Sequence, residues 1–273
     1  MAIATHSLYM LEKAATKVYA GTVKSVRSCC WVWPQPQALI VYSHLEGAHH
    51  EVQHTVACSG PRQRGHGMST GSMQVPAFFE AAPSIVMFDA LAQTLGAAEA
   101  GIIEYRYVDA VKLAGHSCPT VAGAWLMTRK ALALLYPGQT PHRGEVQVAM
   151  RDAQDAGVVG VMASVAGLVT GAAGNGGFKG LAGRHARRDL LAFGVPMRGE
   201  MRFTRVDNGA SVELSHCPEA AARPGDLRQQ MQAVLGGQAD GAQREAFGKT
   251  WQSWVCAMLI DHADDPALIR VEE

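Results

Sequence analysis

The stretch Gly115-His116-Ser117-Cys118-Pro119 begins a long predicted helix that runs to Leu135. Pro119 suits the first helical position, where a backbone N–H has no intrahelical partner to lose. Cys118 then falls at or next to the N-cap, where the positive end of the helix dipole favours a thiolate over a thiol. His116 lies two residues earlier, so an imidazole and a sulfur come together at the head of this helix. Such a pair can hold a metal ion or attack an electrophile.

Metal binding is one hypothesis for this pair. The i, i+2 spacing of His116 and Cys118 in a loop lets both side chains converge on one ion, and a histidine–cysteine donor set suits zinc. Zinc requires at least three protein ligands. The candidates for a third ligand are Asp109, His185, His216 and Cys217. From spacing alone, a buried structural pair is as well supported as a functional one.

The composition indicates one large domain or two small ones. The 273 residues include 24 basic and 24 acidic side chains, so no net charge directs the chain to nucleic acid or to an anionic membrane. Hydrophobic residues make up 48% of the chain, which is enough for a substantial core. We find no uncharged apolar run of about 18 residues, and hence predict no membrane span. Six scattered cysteines favour free thiols and a cytoplasmic location.

Residues 1–74 differ from the rest and are predicted to be a poorly structured extension. They contain no aspartate, and residues 58–72 have the composition of a linker. Six of the eleven histidines lie here: His6, His44, His49, His50, His54 and His66. Weakly structured sequence with chance histidines is favoured over a metal site. An alternative is that the biological chain starts at Met68 or Met73.

Residues 75–273 predict one α+β domain, with a small mixed or antiparallel sheet packed by helices. The apolar residues of 84–95 follow a helical period, whereas 102–107 and 144–150 are predicted strands. Asp207-Asn208-Gly209 predicts the turn of a hairpin. Further helices are predicted over 119–135, 226–235 and 240–260. The segment 108–113 is a short helix or a turn, and the segment 157–168 is either a buried helix or a strand. Small residues at 122–124 indicate that something packs closely there, and another helix is favoured over a ligand.

A glycine-rich segment, residues 170–180, is a second candidate ligand-binding element. Lys179 follows a run of glycines, which suggests a loop that cradles an anion, with Gly174 and Asn175 as further cofactor-binding candidates. The segment matches neither the phosphate-binding loop nor the dinucleotide fingerprint, so no nucleotide cofactor is predicted. A tight connection between packed elements is the favoured interpretation.

Residues 76–193 resemble the FmdE family, which takes its name from formylmethanofuran dehydrogenase. Members carry a G-H-x-C-P element that opens a helix with small residues on one face, here 115–119 followed by Ala122-Gly123. They also carry a glycine-rich element that begins with T-G after a buried apolar segment, here Thr170-Gly171 through Gly174 to Gly177. The resemblance implies an α+β domain that forms a homodimer and binds a metal through His116 and Cys118.

This chain departs from the FmdE pattern in two places. Many members have a cysteine where Ala172 stands, and many end in a four-cysteine zinc ribbon, whereas only Cys217 and Cys256 follow Cys118 here. The ligand set is therefore reduced or altered. The resemblance implies a divalent transition metal as cofactor, with zinc favoured. Because the ligand set is reduced, a metal-free thiol site is an alternative.

Three functions follow from the sequence. The first is an FmdE-like domain that binds a metal ion or a small molecule at His116 and Cys118, with Lys179 and the glycine-rich segment as a wall. The second is a metal-free cysteine enzyme or redox protein, in which Cys118 is the catalytic nucleophile and His116 activates it. The third is an accessory subunit that docks on a larger oxidoreductase through Trp251 and Trp254, although the helical spacing of these residues favours the core or a dimer contact.

Overall fold

The computed structural model of the protein describes residues 73–273. The predicted α+β class is confirmed, because helices pack on two sheets. The helices are α1 (Phe78–Ala81), α2 (Ala90–Thr94), α3 (Tyr107–Ala114), α4 (Pro119–Leu135), α5 (Val159–Thr170), α6 (Leu227–Leu235) and α7 (Gly241–Cys256). The strands are β1 (Ile85–Phe88), β2 (Ile102–Tyr105), β3 (Val146–Met150), β4 (Leu191–Ala192), β5 (Met201–Arg205), β6 (Ser211–His216) and β7 (Ile269–Glu272). The predicted linker over 58–72 and the N-terminal histidines lie outside the described residues.

The larger sheet has the strand order β4-β3-β5-β6-β7. Its neighbours are antiparallel, except that β3 and β4 run parallel. The predicted turn Asp207-Asn208-Gly209 joins β5 to β6, and Gly209 supplies the positive φ (+74°) that this turn requires. β1 and β2 form a separate antiparallel pair. Among the described helices, none is both long enough and apolar enough to cross a membrane.

Helix α4 forms the centre of the core. Its bounds are those predicted, with Pro119 at its first turn and Cys118 as the N-cap residue in extended conformation. Every residue from Val121 to Thr128 is buried, as expected for a helix surrounded by other elements. The helix packs against α5 and β6. A Cβ atom at Gly123 would overlap the imidazole of His216 on β6, so at this residue the close neighbour is a strand and not the helix that was expected.

The prediction of one helix over residues 84–95 is wrong. Ile85 and Met87 are buried while Val86 is exposed, the alternation of a strand, and β1 pairs with β2. The chain then turns at Asp89, whose carboxylate accepts hydrogen bonds from the N–H groups of Leu91 and Ala92 and so caps α2. The apolar residues of β1 and α2, on either side of the N-cap residue Asp89, together have the spacing of one helix.

Candidate ligand-binding site

The loop between α3 and α4 carries His116 and Cys118, and contacts to neighbouring helices fix its position. α3 ends at Gly115, which adopts the left-handed conformation (φ +74°). The carbonyl oxygen of Ser117 accepts hydrogen bonds from Trp251 Nε1 at 3.0 Å and from Gln252 Nε2 at 3.1 Å, both on α7. Ser117 Oγ lies 3.0 Å from the hydroxyl of Tyr107. The loop is therefore held to α3 and α7.

The hydrogen bond of His116 fixes the tautomer of its neutral form. Nδ1 of His116 lies 2.9 Å from the carbonyl oxygen of Ala114. A carbonyl oxygen can only accept, so Nδ1 carries the proton and donates it. In the neutral imidazole, Nε2 then keeps its lone pair and can accept a proton or bind a ligand. The ring is exposed, so this atom lies within reach of a bound molecule.

A cavity of about 460 Å³ lies at the head of α4, and His116 and Cys118 both line it. We call it the α4 cavity. The structure thus brings the two predicted site residues to one concave surface. The residues that line the cavity are His116, Cys118, Pro119, Thr120, Arg223, Leu227, Arg228, Met231, Trp251 and Trp254.

Two tryptophans of α7 form the apolar wall of the α4 cavity. The rings of Trp251 and Trp254 are perpendicular, with centroids 6.1 Å apart. Trp254 Nε1 donates to the carbonyl oxygen of Ala221 at 2.9 Å, and the N–H of Trp251 is taken by Ser117. Both indole N–H groups are therefore satisfied within the protein. Trp254 is buried and Trp251 half-buried, which confirms the packing role favoured by their spacing.

The candidate third metal ligands do not join His116 and Cys118. Within residues 73–273, no group of three or more His, Cys, Asp or Glu side chains is arranged to hold a metal ion. None of the four candidates lines the α4 cavity. Asp109 instead accepts a hydrogen bond from the N–H of Arg106 at the start of α3, and His216 packs against Gly123. The described residues alone do not form the complete zinc site that the FmdE resemblance implies.

The glycine-rich segment lies away from the α4 cavity, which corrects its predicted place as a wall. Lys179, Gly174 and Asn175 are not among the described residues that line the cavity. The carbonyl oxygen of Gly174 accepts from the N–H of Gly177, which closes a turn within the segment, and from the N–H of Asp189, which joins the segment to the chain that follows it. The walls of the cavity come from α6 and α7 instead. A cofactor-binding role for Lys179, Gly174 and Asn175 stays a prediction.

A buried cluster of three charged residues fixes the position of the glycine-rich segment. Asp89 accepts hydrogen bonds from Arg187 Nη2 at 2.7 Å and from Arg143 Nη1 at 3.1 Å. Burial opposes ionisation of Asp89, but the N–H of Ala92 and the two guanidinium groups outweigh it and hold the pKa of this carboxyl below its usual value. Arg187 follows the glycine-rich segment, so this cluster ties the segment to the end of β1.

Comparisons of the chain with protein-family models, with curated proteins and with solved structures give no match. The resemblance to the FmdE family therefore stays a prediction, together with the homodimer that it implies.

Proposed function

We propose that the protein binds a small molecule in the α4 cavity and that Cys118 is the reactive group there. The observation that carries this proposal is the presence of Cys118 and His116 on the surface of one cavity with tryptophan walls. Its volume of about 460 Å³ falls within the range of roughly 300–1,000 Å³ that is typical of small-molecule sites.

The chemistry of the proposed site is nucleophilic. A cysteine is activated when a neighbouring base removes its proton. We propose His116 Nε2 as that base, because Nδ1 already donates to the carbonyl of Ala114 and both side chains line the α4 cavity. Among the hydrogen bonds of the described residues, none joins His116 to Cys118. This is the metal-free cysteine function predicted from the sequence, and the donor set of the described residues favours it over a resident metal.

A matched pair of alkylating reagents tests the binding proposal. We expect N-(2-naphthyl)iodoacetamide to label Cys118 on the order of tenfold faster than iodoacetamide, because the naphthyl group first occupies the cavity and so positions the reacting carbon. Cys217, which does not line the cavity, is expected to show no such acceleration. Peptide mass spectrometry of the full-length chain gives both rates.

Two variants serve as controls for this labelling. His116→Gln is expected to slow labelling of Cys118 by both reagents, because the base is lost. His185→Gln removes a histidine remote from the described lining of the cavity, and its rates are expected to equal those of the unmodified protein. Equal rates for the two reagents at Cys118 would contradict ligand binding in the cavity. Unchanged labelling in His116→Gln would contradict the role of the base.

Metal content is a separate prediction. His116 and Cys118 supply two donors, whereas zinc requires at least three from protein. We expect the full-length chain, purified without chelators, to hold zinc far below one ion per chain when analysed by plasma mass spectrometry. One ion per chain that is lost in Cys118→Ser and in His116→Gln, but kept in His185→Gln, would overturn this expectation. It would instead support the metal function implied by the FmdE resemblance.

A further inference from the structure

We infer that the ligand of the α4 cavity is an oxyanion with a flat apolar body, whose anionic head binds Arg223 and Arg228. This inference rests on the proposed function, and it adds the chemical class of the ligand. Both arginines line the cavity, together with the two tryptophans of its wall.

Among the described residues that line the cavity, no carboxylate balances the positive charge of Arg223 and Arg228. In the part of the chain that the structure describes, the ion pairs include no carboxylate partner for Arg223 or Arg228. Asp226, between them in sequence, accepts a hydrogen bond from Gln230 and lies outside the lining. Two guanidinium groups beside a cavity without carboxylates favour an anionic ligand.

The hydrogen-bonding capacity of the two arginines further limits the chemical class of the ligand's head group. A guanidinium group offers only donors, arranged as a planar fork, so its partner must supply acceptor atoms. Carboxylate and phosphate oxygens match this fork and can accept two hydrogen bonds from one arginine. Arg223 is also placed over the ring of Trp254, with its Cζ 4.8 Å from the ring centroid. This cation–π contact orients one donor beside the apolar wall.

The wall itself selects an apolar body. Because the indole N–H groups of Trp251 and Trp254 are bonded to backbone carbonyls, the rings offer the cavity only apolar and π surface. Leu227 and Met231, one helical turn apart on α6, extend that surface. A ligand that uses the whole site therefore has a flat apolar part against the wall and an oxyanion at the arginines.

Three naphthyl compounds of similar shape test this inference. By calorimetry with the full-length chain, we expect 2-naphthoate or 2-naphthyl phosphate to bind at least roughly tenfold more tightly than neutral 2-naphthamide. Whichever anion binds more tightly identifies the head group. In the double variant Arg223→Gln/Arg228→Gln, the preference for anions is expected to disappear while the affinity for 2-naphthamide is kept, which also shows that the cavity is still folded.

The double variant Arg184→Gln/Arg198→Gln is the matched control. It removes the same charge from exposed positions outside the described lining of the cavity, and the preference for anions is expected to persist. Equal binding of all three compounds, or a preference that survives Arg223→Gln/Arg228→Gln, would overturn the inference and leave the proposed function standing. If none of the compounds binds, the inference fails. The proposed function fails with it only when the naphthyl reagent also gives no faster labelling of Cys118.

Discussion

Replacement of Asp89 by alanine is expected to destabilise the protein by about 3–5 kcal/mol, the loss typical of breaking a buried ion pair. Asp89 is only 3% exposed and lies between the guanidinium groups of Arg143 and Arg187. Without the carboxylate, Arg187 stays buried with an uncompensated charge. A Cβ at Gly144 would overlap the guanidinium of Arg187, so the arginine is closely enclosed. The measurement is the free energy of unfolding from urea denaturation.

Two further variants separate the causes of this loss. Asp89→Asn removes the charge but keeps a good N-cap for α2. The difference in free energy of unfolding between Asp89→Asn and Asp89→Ala therefore measures the contribution of the cap, which we expect to be about 1 kcal/mol. Asp264→Ala breaks the ion pair between Arg129 and an aspartate whose side chain is 83% exposed, and we expect a loss of at most about 1 kcal/mol. If Asp89→Ala cost no more than Asp264→Ala, the cluster would not hold the glycine-rich segment in place.

The elements predicted correctly are those with local signals. The bounds of α4 follow from Pro119 at its start and from a helix pattern that Tyr136-Pro137-Gly138 closes. The hairpin of β5 and β6 follows from Asp207-Asn208-Gly209. In residues 84–95, a four-residue strand and a five-residue helix together imitate one helical stripe, and this periodicity hid the N-cap signal of Asp89 between them. There the pairing of β1 with β2, a tertiary contact, decides the structure.

The site was predictable only where its residues are close in sequence. His116 and Cys118 share one loop, so their spacing predicted that they could act together. Arg223, Arg228 and Met231 lie more than 100 residues further along the chain, and the packing of α6 and α7 brings them to the cavity. Leu227 and Met231 are spaced one helical turn apart, and this spacing is a local sign that one face of α6 packs against the protein. The glycine-rich segment suggested a wall, but Arg187 and Asp89 hold it elsewhere.

His216 shows most clearly how packing decides the role of a residue. As an isolated motif, His216-Cys217 offered a third metal ligand. In the fold, the imidazole lies against Gly123 on α4, and its buried Nε2 has no hydrogen-bond partner among the described residues. Burial lowers the pKa of His216 from its ordinary 6.5 to about 4, although the nearby Glu219 acts in the opposite direction. A partly buried histidine that stays neutral in the folded protein responds to pH through the stability of the fold.

The protein is therefore expected to lose about 3 kcal/mol of stability through His216 as the pH falls from about 6.5 to about 4. In this window the unfolded chain binds a proton at residue 216 that the folded protein cannot accept, so unfolding is favoured as the pH falls. Above about 6.5 both states are neutral, and the full stability is present. Each pH unit within the window costs about 1.4 kcal/mol.

Urea denaturation at several pH values measures this contribution as a difference between variants, because carboxyl groups also titrate in the acid range. In His216→Gln, the free energy of unfolding is expected to fall less steeply between pH 6.5 and pH 4 than in the unmodified protein. His185→Gln, at a partly exposed position, is expected to keep the original slope. Equal slopes in His216→Gln and the unmodified protein would show that the imidazole takes up its proton in the folded state. In that case Gly123 would not exclude solvent from His216, and the contact between α4 and β6 would be more open than the packing indicates.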